Sequence, residues 1–295
     1  MLKKKIQNKY KNLLIITNTD KFKLPFGDYL RILAFAPNLK FKKIFFTGSK
    51  DLLLLAKEHD FINSIRIKNK KLISQVKKNS FIFDIENDGK NSNKIFYLKT
   101  ILNPKKNKKQ NMADLIKNIA KYFKIKKYKL YHNKKSVLKT TKDVFFSWQA
   151  PIAWKIKEYP RNKLYLLNKK IKYELGLSTK FQKRNEKLSS YIKNIKSSKM
   201  VVSIVNLGCH ISNLFDKNLI MLSGPNYHED SSLHKSQITV FPKEFCHYHK
   251  KIFKNKKFKN RVGSLTKGTN KCYCMDNIEV NEIFNKIKKV INEKI

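Results

Sequence analysis

In its first half this chain alternates short apolar runs with segments whose apolar residues return every three or four positions. The first such pairs are "NLLIIT" (12–17) with "GDYLRILAFAP", and "KIFFTG" (43–48) with "SKDLLLLAKEHD", which Ser49 opens as an N-cap. "SIRI" (64–67), "SFIFDI" (80–85) and "IFYLK" (95–99) extend the strand series. "NMADLIKNIAKYFKI" (111–125) then reads as a helix with Met112, Leu115, Ile116, Ile119 and Tyr122 on one side. Strands alternating with helices imply βαβ units around a parallel sheet.

The polar stretch "HNKKSVLKTTKD" (132–143) interrupts this rhythm, and "VFFSW" (144–148) restarts it. "NKLYLLNKKIKYEL" (162–175) and "KLSSYIKNIKSSK" (187–199) are helical, leading to the strand "MVVSIV" (200–205) and the short helix "CHISNLF" (209–215). "NLIMLSGP" (218–225) is a strand ending in a Gly-Pro turn, and "NIEVNEIFNKIKKVI" (277–291) is a terminal amphipathic helix. The expectation is α/β: two Rossmann-like domains, residues 1–138 and 139–295, facing across a cleft. Open α/β sheets bind ligands beyond the carboxyl ends of their strands. The loops to watch are therefore 18–28, 147–160, 205–210 and 223–231.

The formal net charge of +45 would ordinarily suggest nucleic acid or an anionic membrane surface. Only five of the 66 basic residues are Arg, however, the residue suited to bidentate base and phosphate recognition. The lysines run the length of the chain instead of gathering in one stripe, which argues against a specific nucleic-acid reader. Each basic residue near an anionic bilayer contributes about 1 kcal/mol, so a peripheral membrane contact fits better. No stretch reaches the roughly 18 apolar residues of a membrane span. "NLLIIT" is too short for a signal-peptide core, so the chain is expected in the cytoplasm, on or near the inner face of the membrane.

Asp28 stands at the mouth of the first helix. It can stabilise the helix dipole, and it can equally be an ionised general base facing a cleft; Gly27 before it permits close backbone approach. Lys157, in the Trp-containing loop "SWQAPIAWKIKEYP" (147–160), is either a solvated lysine or a counter-charge for a leaving diphosphate. His210 is either a plain structural histidine or, following an apolar strand and a small-residue turn at a helix start, part of an arrangement that binds anions. "SGPNYHED" (223–230) repeats the theme, or is a plain Gly-Pro turn. Cys246, His249, Cys272 and Cys274 could form a Cys₃His zinc site, with His247 competing for the fourth position, or remain reduced thiols.

In their order, these loops resemble glycosyltransferase family 9, the ADP-heptose:lipopolysaccharide heptosyltransferases. The match runs through strand–"GD"–helix, "KEYP", an apolar strand with a small-residue turn and His, strand–"GP", and "CYCM" before the last helix, and covers most of the chain. The resemblance implies the GT-B-type architecture, with an acceptor-binding N-terminal half and a donor-binding C-terminal half. It implies an inverting transfer without a catalytic metal, from an ADP-heptose-like nucleotide-sugar to a glycan or glycolipid acceptor. Asp28 would be the base, with Gly27 and Arg31 on the acceptor side. Lys157, Asn206, Gly208, His210, Gly224, Pro225 and Asn226 would line the donor phosphates. Three features depart from the family pattern: Val205 stands where an Asp is usual, Asn226 where a Thr often follows "GP", and the stretch between "KEYP" and "KLSSYI" is short where a donor-contacting strand and an acidic residue would be expected. A non-catalytic relative that binds glycan or nucleotide, and a basic nucleic-acid-binding protein, are the alternatives.

Overall fold

The structure, a computed structural model, describes residues 6, 9–17, 26–66, 68–85, 87, 90–92, 94–98, 112–133, 138–150, 152–224, 237–246 and 272–293. It divides into two compact units, Met1–Asn133 and Lys134–Ile295.

The first unit runs β1 (Asn12–Ile16), α1 (Phe26–Phe35), β2 (Lys43–Gly48), α2 (Lys50–Lys57), β3 (Ile62–Arg66), α3 (Lys70–Lys78), β4 (Ser80–Asp84), β5 (Ile95–Tyr97) and α4 (Met112–Tyr122). Its five strands form one parallel sheet in the order β3-β2-β1-β4-β5. The central strands are apolar and buried because helices cover the sheet: Leu13, Ile15, Phe46, Phe81 and Phe83 share a core with Leu33, Phe35, Ile116 and Ile119. Ser49 caps α2 as expected, its hydroxyl accepting from Leu52 N at 3.4 Å.

The second unit runs β6 (Lys142–Ser147), α5 (Arg161–Leu175), β7 (Thr179–Phe181), α6 (Leu188–Lys196), β8 (Ser198–Ile204), α7 (Leu207–Leu214), β9 (Asn218–Leu222), β10 (Gln237–Val240) and α8 (Val280–Asn292). A 3₁₀ turn, Ile152–Lys157, lies between β6 and α5. The parallel sheet has the order β10-β9-β8-β6-β7. Helix α5 ends on Gly176 at φ 64°, a left-handed cap that glycine adopts without strain.

Three elements escape the hydrophobic pattern. Helix α3 carries four lysines in nine residues and buries none of its side chains. Strands β7 and β10 span only three and four residues. The strand "SIRI" begins earlier, at Ile62.

Each sheet has one place where strand order reverses: between β1 and β4 in the first unit, and between β6 and β8 in the second. Crossovers on opposite faces leave a crevice there, beyond the carboxyl ends of the strands.

Candidate active site

At the reversal in the second unit, Ser147 ends β6 and Asn206 follows β8; β6 and β8 are in register with Ser147 opposite Ser203. The Asn206 side chain faces groups that fix its orientation. Gly208 N can only donate, and it meets Oδ1 at 2.7 Å; Gln149 O can only accept, and it meets Nδ2 at 3.1 Å. Ser203 Oγ adds a donor to Oδ1 at 2.9 Å, while Nδ2 donates to Ser147 Oγ at 2.9 Å. Asn206 is thus the N-cap of α7 and at the same time a lock joining β6, β8 and the loop after β6.

Tyr191 closes this network from α6, its hydroxyl hydrogen-bonded to Ser147 Oγ. Burial pushes the Tyr191 phenol well above its usual range, so it stays a neutral hydroxyl. Gly208 fits the same corner because it has no side chain. A Cβ there would stand 2.6 Å from Tyr191 Oη and 2.8 Å from Ser147 Cβ. The polar atoms of Asn206 are therefore engaged within the protein, and so are Gly208 N, held by Asn206 Oδ1, and Gly208 O, which accepts from Ser212 Oγ at 2.7 Å. His210 lies half-buried in the fourth position of α7, and Val205 half-buried at the turn before it.

Lys157 ends the 3₁₀ turn and is half-buried. The residues after it explain the "KEYP" motif. Glu158 Oε1 accepts from Ala150 N at 3.1 Å, and Arg184 Nη2 reaches both carboxylate oxygens at 3.0 and 3.1 Å. Tyr159 is fully buried and donates to Ile278 O at 3.2 Å. Arg161 lies over the Trp148 ring, 5.4 Å from its centroid. The loop carrying Lys157 is thereby tied down on both sides.

Gly224, just past β9, is buried where a Cβ would collide with Met275 Sδ. Gly224 and Met275, one from each of two motifs far apart in the sequence, thus meet in space. Beside Met275, Cys246, Cys272 and Cys274 are buried with their sulfurs all within 4.8 Å of one another. Cys246 Sγ and Cys272 Sγ are 3.6 Å apart. A tetrahedral thiolate site with bonds of about 2.3 Å needs sulfurs about 3.8 Å apart, so the three fit a zinc-type ion. As thiols, Cys272 and Cys274 resist ionisation. The Cys246 thiol, with burial assisting, pushes Cys272 up to about 11, and Cys274 is raised as well. Pro225, Asn226, His247 and His249 lie outside the described residues.

In the first unit Asp28 is half-buried in the first turn of α1, with Gly27 buried before it. Arg31, one turn on, shares its side of the helix and is 5% exposed. Asp84, which no motif in the sequence singles out, ends β4 at the reversal, paired in register with Ile16 and 7% exposed. It accepts from Asn87 N at 2.9 Å and Asn87 Nδ2 at 2.8 Å, fixing the turn after β4. An open cavity of about 540 Å³ lined by Ser64, Arg66, Lys68 and Asn69 lies at the edge strand β3, away from the reversal.

No protein-family model matches the chain, and no curated protein sequence matches it. Solved structures do. The glycosyltransferase family 9 protein of Veillonella parvula superposes with a TM-score of 0.61 at 11% identity, over 97% of this chain and 98% of that one. The E. coli heptosyltransferase WaaC with ADP gives 0.56 at 10% identity, over 96% and 99%. The iron-containing dodecameric glycosyltransferase TibC of enterotoxigenic E. coli gives 0.58 at 10% identity, over 95% of this chain and 76% of that one. The fold is that of the family 9 glycosyltransferases, α/β with two parallel five-stranded sheets.

Proposed function

We propose that the chain is an inverting glycosyltransferase that moves a heptose or related sugar from a nucleotide-sugar to a lipopolysaccharide or other cell-envelope glycan. The observation that carries this reading is Asp28, a half-buried carboxylate in the first turn of the helix that follows β1, in a chain with the family 9 fold. In the proposed reaction Asp28 takes the proton of an acceptor hydroxyl. The freed oxygen attacks the anomeric carbon from the side opposite the diphosphate. The bond to the diphosphate oxygen breaks as the new one forms, and the leaving group departs with the electron pair. Lys157 and the N-terminal turn of α7, with His210, neutralise the charge that develops on it. Gly224, Pro225 and Asn226 border the same phosphates; Gly27 and Arg31 serve the acceptor. None of these steps uses a metal. Residues 1–138 would form the acceptor-binding part and 139–295 the donor-binding part.

The solved neighbours include proteins holding ADP and ADP-heptose, which supports a nucleotide-sugar as the donor here. Cys246, Cys272 and Cys274, with His249 as the fourth ligand, would hold a structural zinc that supplies folding energy and takes no part in transfer. The acceptor's membrane anchor would place the protein on the cytoplasmic face of the inner membrane.

The test is Asp28→Asn in a transfer assay with ADP-heptose. A positioned general base contributes about 10²–10⁴-fold, so transfer falls by that factor while donor binding and the unfolding midpoint hold. Full activity in this variant overturns the assignment. One observation favours a second reading, a non-catalytic relative that binds nucleotide or glycan: Val205 occupies the turn before α7 where the family usually has an Asp. Nucleotide binding with neither transfer nor donor hydrolysis would establish it.

A further inference from the structure

The outward face of α5 presents the most exposed of the large apolar side chains among the described residues. Tyr165 is 63% exposed, Leu166 54% and Tyr173 79%. The helix buries Leu164, Leu167 and Ile171 against its own unit, with Lys170 over the Phe284 ring of α8 at 4.8 Å. Tyr165, Leu166, Lys169, Lys172 and Tyr173 then fall on the opposite side at spacings of three, four and seven, and all five are exposed. The only acidic residue of α5, Glu174, lies off this stripe and pairs with Lys170 at 3.4 Å. The stripe's charge is wholly positive.

A soluble helix gains nothing from holding two tyrosines and a leucine in water; clustered exposure of this kind marks an interaction surface. Its chemistry is specific. Tyrosine offers an apolar ring with a polar tip, and lysine an aliphatic stem with a charged end. Together they suit the boundary between acyl chains and headgroups. The charge selects the partner. With 66 basic against 21 acidic residues, a second copy of the chain would meet this face with like charge, whereas an anionic bilayer complements it. Leu166 adds aliphatic surface that stacking on nucleic-acid bases does not use. No helix among the described residues is long and apolar enough to cross a membrane, so contact along a surface is the geometry available to α5.

We propose that α5 docks the protein on an anionic membrane surface, with Tyr165, Leu166 and Tyr173 entering the headgroup boundary and Lys169 and Lys172 meeting lipid phosphates. This inference deepens the membrane contact proposed above but does not require sugar transfer, because none of these residues belongs to the candidate active site.

The experiment is co-sedimentation of the full chain with phosphatidylcholine vesicles, with or without roughly a third phosphatidylglycerol, at about 0.15 M salt. A triple variant, Tyr165→Ser, Leu166→Ser and Tyr173→Ser, keeps the charge and removes the apolar contact. It is expected to lower the partition coefficient on anionic vesicles by about tenfold or more. Lys169→Gln with Lys172→Gln should weaken binding well beyond Lys126→Gln with Lys127→Gln, an equal loss of charge on exposed residues of the first unit. Unchanged unfolding midpoints would confirm that all variants fold. Vesicle binding by the triple variant equal to that of the parent would overturn the proposal, leaving only general lysine attraction. So would equal losses in the two lysine pairs. A concentration-dependent dimer, or single-stranded DNA binding, that the triple variant loses while vesicle binding persists would overturn it in favour of that other partner. Transfer activity measured on a soluble acceptor separates a failure of the α5 surface from a failure of Asp28.

Discussion

His59 lies at the end of α2, fully buried between aromatic rings: Phe61 is 5.6 Å and Tyr131 5.9 Å from its ring centroid. Its Nδ1 faces Leu55 O at 3.2 Å, and a carbonyl only accepts, so Nδ1 carries the proton of the neutral ring. Nε2 is buried without a hydrogen-bond partner. A second proton would have to go there, into surroundings that cannot solvate it, and burial accordingly lowers the pKa from 6.5 to about 4. The unfolded chain binds that proton near pH 6.5 and the folded one only near 4. His59 therefore costs no stability above about pH 6.5, and stability falls as the pH drops from there toward 4. The slope is about 1.4 kcal/mol per pH unit and the whole window about 3 kcal/mol. Urea midpoints between pH 7 and 4 should fall more steeply for the parent than for His59→Phe, which keeps the ring and removes the titration. Parallel curves would refute the assignment.

Helix α7 shows what one side chain can do for an element. A cap alone needs an acceptor for Gly208 N, and Asp serves as well as Asn there. The lock on β6 needs donors too, because Asn206 Nδ2 faces Ser147 Oγ and Gln149 O. Asn206→Asp keeps the cap but sets a carboxylate oxygen against the Gln149 carbonyl. It should destabilise by about 1–3 kcal/mol despite the favourable helix dipole. If capping were the whole role, chemical denaturation would show the Asn206→Asp variant as stable as the parent. The same element shows what is legible in a sequence. The apolar run 200–205 and the small-residue turn announce a strand and a helix start, because burial on both faces and capping leave local marks. Ser147, Tyr191 and Gln149 carry no such mark. Ser147 meets Asn206 across 59 residues and Tyr191 across 44, and only the order of the strands brings them together. Glu158 sits in "KEYP", yet its partner Arg184 lies 26 residues on and leaves no local mark; Asp84 bonds locally to Asn87, and its place at the reversal follows from the strand order. Helix α3 is hidden because its lysines mask the few apolar residues that define its inner side.

At the scale of the whole molecule, lysine excess and cysteine placement bear on each other. A chain at +45 repels itself in the folded state, so ties between distant segments matter more than in a neutral protein. The three cysteines make such a tie. Cys246 follows β10, while Cys272 and Cys274 precede α8, which covers the second unit's core with Ile283, Phe284 and Ile287. Cys246 N donates to Cys274 Sγ at 3.2 Å, and the next residue, Met275, fills the space left by Gly224. An ion held by these sulfurs would bind the folded chain alone and stabilise it by mass action, about 4 kcal/mol when free metal exceeds its dissociation constant a thousandfold. Metal analysis of the purified chain should find close to one equivalent. Removing it with a chelator should lower the thermal midpoint by several degrees, and zinc should restore it. Cys272→Ser should start at the lower midpoint and respond to neither treatment. If parent and variant melt alike, and the chelator moves neither, the cluster is three packed thiols. The tie between β10 and α8 then rests on Met275 and the buried apolar surface around it.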